Sequence, residues 1–87
     1  MERADVYKAI DSEREFQEEM SKDPLRPDII PDFHVGDTLS AIQYNLDRAR
    51  GAWYKDAVPH TEALKYLRKI AALCVKMGET YGMESRH

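Results

Sequence analysis

The sequence predicts an all-α fold: a small bundle of about three helices with a proline-rich ordered loop, completed by oligomerisation. Three observations predict it. Long stretches free of proline carry apolar residues at helical 3-4 spacing. Three prolines fall in the sixteen residues 21–36, splitting the chain between its first and second periodic segments. The last segment has a wider apolar arc than two neighbouring helices can cover.

The first helix is expected over about residues 5–20, a stretch with no Gly or Pro. On a wheel, Val6, Ile10 and Met20, with Ala9 and Phe16 at the edge, form its apolar side. Asp11, Glu15, Glu18 and Glu19 fall opposite, with Lys8 and Lys22, as a solvated face. Glu13 and Gln17, four residues apart, point with Ile10 and Met20 and therefore need polar partners. Arg50, on the core side of the second helix, is the partner the wheels offer. The three residues read either as a structural network or as the floor of a ligand pocket.

The segment 21–36, "SKDPLRPDIIPDFHVG", cannot hold a regular element. It nevertheless carries Leu25, Ile29, Ile30, Phe33 and Val35, which favours an ordered loop folded back over the helices. His34 in this loop is a candidate pocket-edge residue, since loops supply binding groups.

The second helix is expected over about 37–55, with Gly36-Asp37-Thr38 as its N-terminal signal. Leu39, Ile42, Leu46, Ala49 and Trp53 repeat at 3-4 spacing and read as its core stripe. Ala41, Tyr44, Arg48 and Ala52 form a second face suited to close approach of another helix. The third helix is expected over about 60–81, capped by His60 or Thr61 and stopped at Gly82. Its apolar residues, from Ala63 to Met77, fill an arc of about 200°. Glu62, Lys65, Arg68, Lys69, Lys76 and Glu79 face the other way. So broad an arc implies a helix that is central within the chain and covered again by another copy.

Composition excludes several classes. At 87 residues the chain makes one domain, and one so small is marginal alone. A net charge of −3 with 33% charged residues of both signs suits no nucleic-acid backbone. "IAALCV" is far too short to span a bilayer, and the amphipathic third helix is too broadly apolar and too acidic at its flanks for a membrane surface. The N-terminus has no apolar run, so no secretory leader is expected. The one cysteine, Cys74, forms no internal disulfide and fits a reducing compartment, and it lies in an apolar run where a thiol is inert. His34, His60 and His87 lack metal-ligand spacing. No glycine-rich phosphate loop and no nucleophile–histidine–carboxylate set is present. No catalytic residue, metal site or cofactor is expected.

The pattern "VYKAIDSEREFQ", "HVGDTLSAIQYNLDRARGAW" and "ALKYLRKIAALCVKMGETYG", over residues 6–82, resembles a group of small bacteriophage proteins. That group shows an ER-x-[YF]-Q element, a His-[ST]-Val-Gly helix start, an Ala-x-x-Ala-Trp end and an Arg-Lys-Ile-Ala-Ala helix. Here Val35 follows His34 directly, and Met77-Gly78-Glu79 replaces the group's Met-Glu. Helix order and length also resemble the MazG-type nucleotide pyrophosphohydrolases. Those place EExxE on one helix and ExxD on the next, converging on Mg²⁺. Here Glu15, Glu18 and Glu19 lie on the solvated face. Gln43 with Asp47, and Glu62 with Lys65, supply no second carboxylate cluster.

The resemblance implies a phage accessory protein in the host bacterial cytoplasm that acts by binding. The expected function is non-catalytic sequestration of a nucleotide-like host immune signal, in counter-defence. Such an anion needs cationic forks and aromatic surfaces. Arg14, Arg48, Arg68 and Lys69 supply the first, and Tyr7, Tyr44 and His34 line the site. One alternative is a MazG-like pyrophosphohydrolase or its degenerate descendant. Another is an inhibitor that binds a host protein. The expected partners are a second copy of the chain and a nucleotide-like small molecule.

Overall fold

The computed structural model describes residues 1–22, 34–55, 58 and 60–86. Three helices account for the regular structure of these residues: α1 (Arg3–Ser21), α2 (Val35–Lys55) and α3 (Thr61–Tyr81). The fold is an all-α small helical bundle. The proline-rich stretch 23–33, with Leu25, Ile29, Ile30 and Phe33, lies outside the described residues, as do Pro59 and His87.

The ends of the helices follow local chemistry. α2 starts earlier than its glycine and aspartate signal predicts. The Asp37 carboxylate accepts a hydrogen bond from the His34 backbone N–H at 3.1 Å, half of a capping box, so the helix opens at Val35. α3 follows His60, whose backbone is left-handed at φ 59°, ψ 44°. At the other end Gly82 takes φ 85°, and its N–H closes the last turn on Gly78 O at 2.9 Å. A side chain at that φ is strained, which is why the helix stops on glycine. Ser12, Asn45 and Thr80 turn their polar groups back onto carbonyls of the preceding turn.

α3 is central. It packs against both α1 and α2, and α1 and α2 do not touch each other among the described residues. α2 and α3 form an antiparallel hairpin: the start of α2 meets the end of α3, with His34 Nδ1 3.4 Å from Tyr81 Oη. α1 lies across α3 rather than along it. Glu13 and Arg14 are neighbours on α1, yet they reach Arg68 and Glu79, about three turns apart on α3. Principal extents of 39 × 36 × 22 Å fit that crossed arrangement.

The core is thin. Its buried apolar residues are Ala49, Ala63, Ala72 and Leu73. Leu73, the largest of these, contributes about 1.5–3 kcal/mol by burial. Alanines at the contacts let the helix backbones approach closely. The face α2 turns to α3 keeps the middle of the expected stripe, with Ala49 buried and Ile42 and Leu46 half-buried, and is rotated from its Leu39 and Trp53 ends toward Thr38. Leu39 and Trp53 stay largely exposed, Trp53 resting edge-on against Tyr54 with ring centroids 5.0 Å apart. Val6 and Phe16 on α1 are exposed as well, and so is Cys74.

Candidate functional site

α1 meets α3 through charge. The Glu13 carboxylate accepts a hydrogen bond from Arg68 Nε at 2.8 Å. Arg14 is buried and donates to Glu79 Oε1 at 3.0 Å, and also to Glu18 on its own helix. Gln17 Nε2 donates to the Lys69 carbonyl at 3.5 Å, while its Oε1 is buried without a protein partner among the described residues. The wheel places Glu13 and Gln17 inward correctly, but the expected Glu13–Arg50 pair does not form. α1 never reaches α2, and Arg50 is exposed. Arg68 and Glu79, expected to face solvent, instead form the α3 half of the contact with α1. Glu18, expected on the solvated face, is drawn into the same network.

Ser12, Glu13, Phe16, Arg68 and Lys69 line a shallow groove of about 450 Å³ along this contact. Its charges are largely spoken for, since Glu13 is committed to Arg68.

A second groove, of about 370 Å³, runs between α2 and α3. Arg48, Gly51, Ala52 and Lys55 line it from α2, and Glu62 and Tyr66 from α3. Arg48 is held in place: its Nε donates to the Tyr44 hydroxyl at 2.7 Å, and its guanidinium carbon lies 4.9 Å from the Tyr44 ring centroid. Hydrogen bonding to Tyr44, then to Tyr66, holds its pKa above the ordinary arginine value. Tyr66 sits between two cations, because Lys69 Nζ lies 5.4 Å from its ring centroid on the other side of the groove wall. Through Tyr66 and Lys69 the two grooves adjoin. Lys65 pairs with Glu62 at 2.8 Å and offsets the one carboxylate of the α2–α3 groove.

Gly51 lies in the interior of α2, where glycine costs about 1 kcal/mol against alanine. No atom lies within 4 Å of the position a Cβ would take. No packing contact within the chain therefore requires glycine here. Its effect is to leave the groove floor flat beside Arg48.

The sequence candidates thus divide. Arg48 and Tyr44 come together at the α2–α3 groove. Glu13, Gln17, Arg68 and Lys69 come together at the α1–α3 contact. Arg14 is enclosed by its two carboxylates. His34 stands exposed at the far end of the hairpin beside Tyr81, and Tyr7 is exposed on α1, lining neither groove. Gly51, Lys55 and Tyr66 were not among the candidates. The isolated mid-helix glycine three residues after Arg48 was the available signal. Among the described residues no three His, Cys, Asp or Glu side chains converge as a metal set. Among the same residues no helix is long and apolar enough to cross a membrane. No family model, curated protein or solved structure matches the chain.

Proposed function

We propose that the chain binds an anionic, nucleotide-like ligand in the α2–α3 groove and retains it without turnover. The observation that carries this reading is Arg48, an exposed guanidinium pinned by Tyr44 above a floor left open by Gly51. An exposed arginine normally loses rotamer freedom when it grips an anion. Here Tyr44 has already restricted it, which lowers the cost of binding. Lys55 adds a second cation, and the Tyr66 ring offers an aromatic surface near both. A phosphate beside Arg48 and Lys55 with a base against Tyr66 is the arrangement these groups favour. In the setting the phage resemblance implies, the ligand is a signal nucleotide of host immunity and its retention is counter-defence.

Titration calorimetry with cyclic dinucleotides and cyclic ADP-ribose-like compounds tests the proposal. Binding is expected, with the ligand recovered intact by chromatography in the presence of Mg²⁺. Arg48→Ala should weaken it by about 1.5–3 kcal/mol, the worth of a hydrogen bond to a charged group. Turnover of the nucleotide supports the pyrophosphohydrolase alternative instead. No heat from any of these compounds, with a host protein captured by the chain, supports the inhibitor alternative.

A further inference from the structure

The α2–α3 groove sets two cations against one acid. Arg48 and Lys55 line it from α2, and among the described residues Glu62 is the one carboxylate on its wall. A carboxylate opposes any phosphate held nearby, so a grip for phosphate alone is better without it. Glu62 is also held in place. Lys65 Nζ donates to its Oε1 at 2.8 Å from one turn along the same helix. Both side chains of that pair are about half exposed, so it adds little stability. Its effect falls on the groove instead. Lys65 offsets the negative charge and leaves Glu62 an acceptor, since an ionised carboxylate offers about four acceptor sites and one lysine bond uses one.

Tyr66 follows Glu62 by one turn and shares its face of α3. Helical side chains lean toward the helix N-terminus, so the Tyr66 ring leans over the turn that carries Glu62. Arg48 hydrogen-bonds the Tyr66 hydroxyl. Lys69, from the turn that follows, sets its Nζ 5.4 Å from the ring centroid. One aromatic ring is thus flanked by a guanidinium and by a carboxylate. A base laid on that ring, with its phosphate toward Arg48, turns its outer edge toward Glu62.

Resting on the nucleotide reading of this groove, we propose that Glu62 selects guanine, so that the ligand is a guanine nucleotide. The outer edge of guanine carries two adjacent donors, N1–H and the 2-amino group. They match the two oxygens of one carboxylate as a bidentate pair. Adenine offers one donor beside the N1 lone pair, and cytosine one donor beside the N3 lone pair. In both, the lone pair faces the carboxylate and repels it. Uracil and thymine offer a single N–H between two carbonyls. Among the common bases, guanine alone presents paired donors. A guanine-containing signal therefore suits the groove, and an adenine compound such as cyclic ADP-ribose does not.

Calorimetry on the full chain tests this with compounds matched in charge: GDP, inosine diphosphate and ADP, and cyclic di-GMP against cyclic di-AMP. The guanine compounds should bind at least about tenfold more tightly than their adenine counterparts, the discrimination of one bidentate pair. Inosine diphosphate keeps N1–H but lacks the 2-amino group, and should fall between GDP and ADP. Glu62→Gln should remove or reverse the preference, because an amide pairs its donor and acceptor with those of adenine. Arg48→Ala should weaken both base types alike. Adenine compounds that bind as tightly as guanine ones overturn the proposal and leave the nucleotide reading standing. So does a Glu62→Gln variant that keeps the guanine preference, or one that weakens both base types equally. Binding by none of these compounds overturns this proposal and the nucleotide reading together. The wild-type comparison of bases needs no substitution, so it decides the matter even if Glu62→Gln does not fold.

Discussion

The Glu13 carboxylate and the Arg68 guanidinium meet at 2.8 Å across the α1–α3 contact, but they are buried unequally: the Glu13 side chain is 6% exposed and that of Arg68 40%. The carboxylate has given up its water and depends on the arginine. The arginine can return to solvent. Removing one partner is therefore not equivalent to removing the other.

Arg68→Ala strands a buried charge and should cost about 3 kcal/mol. Glu13→Ala frees an arginine that water can reach, and should cost about 1 kcal/mol. Thermal unfolding of the two variants checks the order. Equal shifts in Tm would mean that the burial difference has no energetic consequence.

Arg14 is enclosed along its whole length, while its partners Glu18 and Glu79 are about half exposed. Its aliphatic stem is a large part of its contribution. Arg14→Met should keep more stability than Arg14→Ala, by about 1 kcal/mol. Urea unfolding midpoints decide it. If the two variants unfold together, charge rather than the stem holds α1 at this point.

Gly51→Ala fills space that is empty within the chain, so α2 should gain about 0.5–1 kcal/mol. The same methyl group raises the groove floor beside Arg48 and should weaken nucleotide capture. Higher Tm with lower affinity is the expected pair of results. A lower Tm would reveal a contact over Gly51 that a single chain does not provide.

His60 holds a left-handed backbone that favours glycine, and its ring Nδ1 is buried without a partner among the described residues. His60→Gly should raise stability by about 0.5–1 kcal/mol by relieving both costs. Differential scanning calorimetry would show the opposite sign if ring packing outweighs the backbone strain.

All three helices were legible from apolar spacing and from Gly82, because helix formation is a local matter of propensity and punctuation. The facing of α2 was legible in part: the stripe places Ala49, Ile42 and Leu46 correctly, but a wheel weighted by hydrophobicity also selects Leu39 and Trp53, which stay exposed, and passes over Thr38, which is buried. Glu13 was legible as an inward polar group because its wheel position is local. Its partner was not, because either Arg50 or Arg68 satisfies a carboxylate and only the crossing of α1 over α3 chooses between them. Arg48 and Tyr44 were legible as a pair four residues apart on one helix. Lys55 and Tyr66 join them only through the hairpin.

That α1 and α2 make no contact among the described residues divides the chain by order of release. α1 can lift from α3 while the hairpin stays whole, since what it gives up is a set of side-chain bonds to one helix. α3 has no such independence, because every long-range contact among the described helices includes it. Amide hydrogens of α1 should therefore exchange at a lower opening free energy than those in the middle of α3, which exchange only when the whole molecule unfolds.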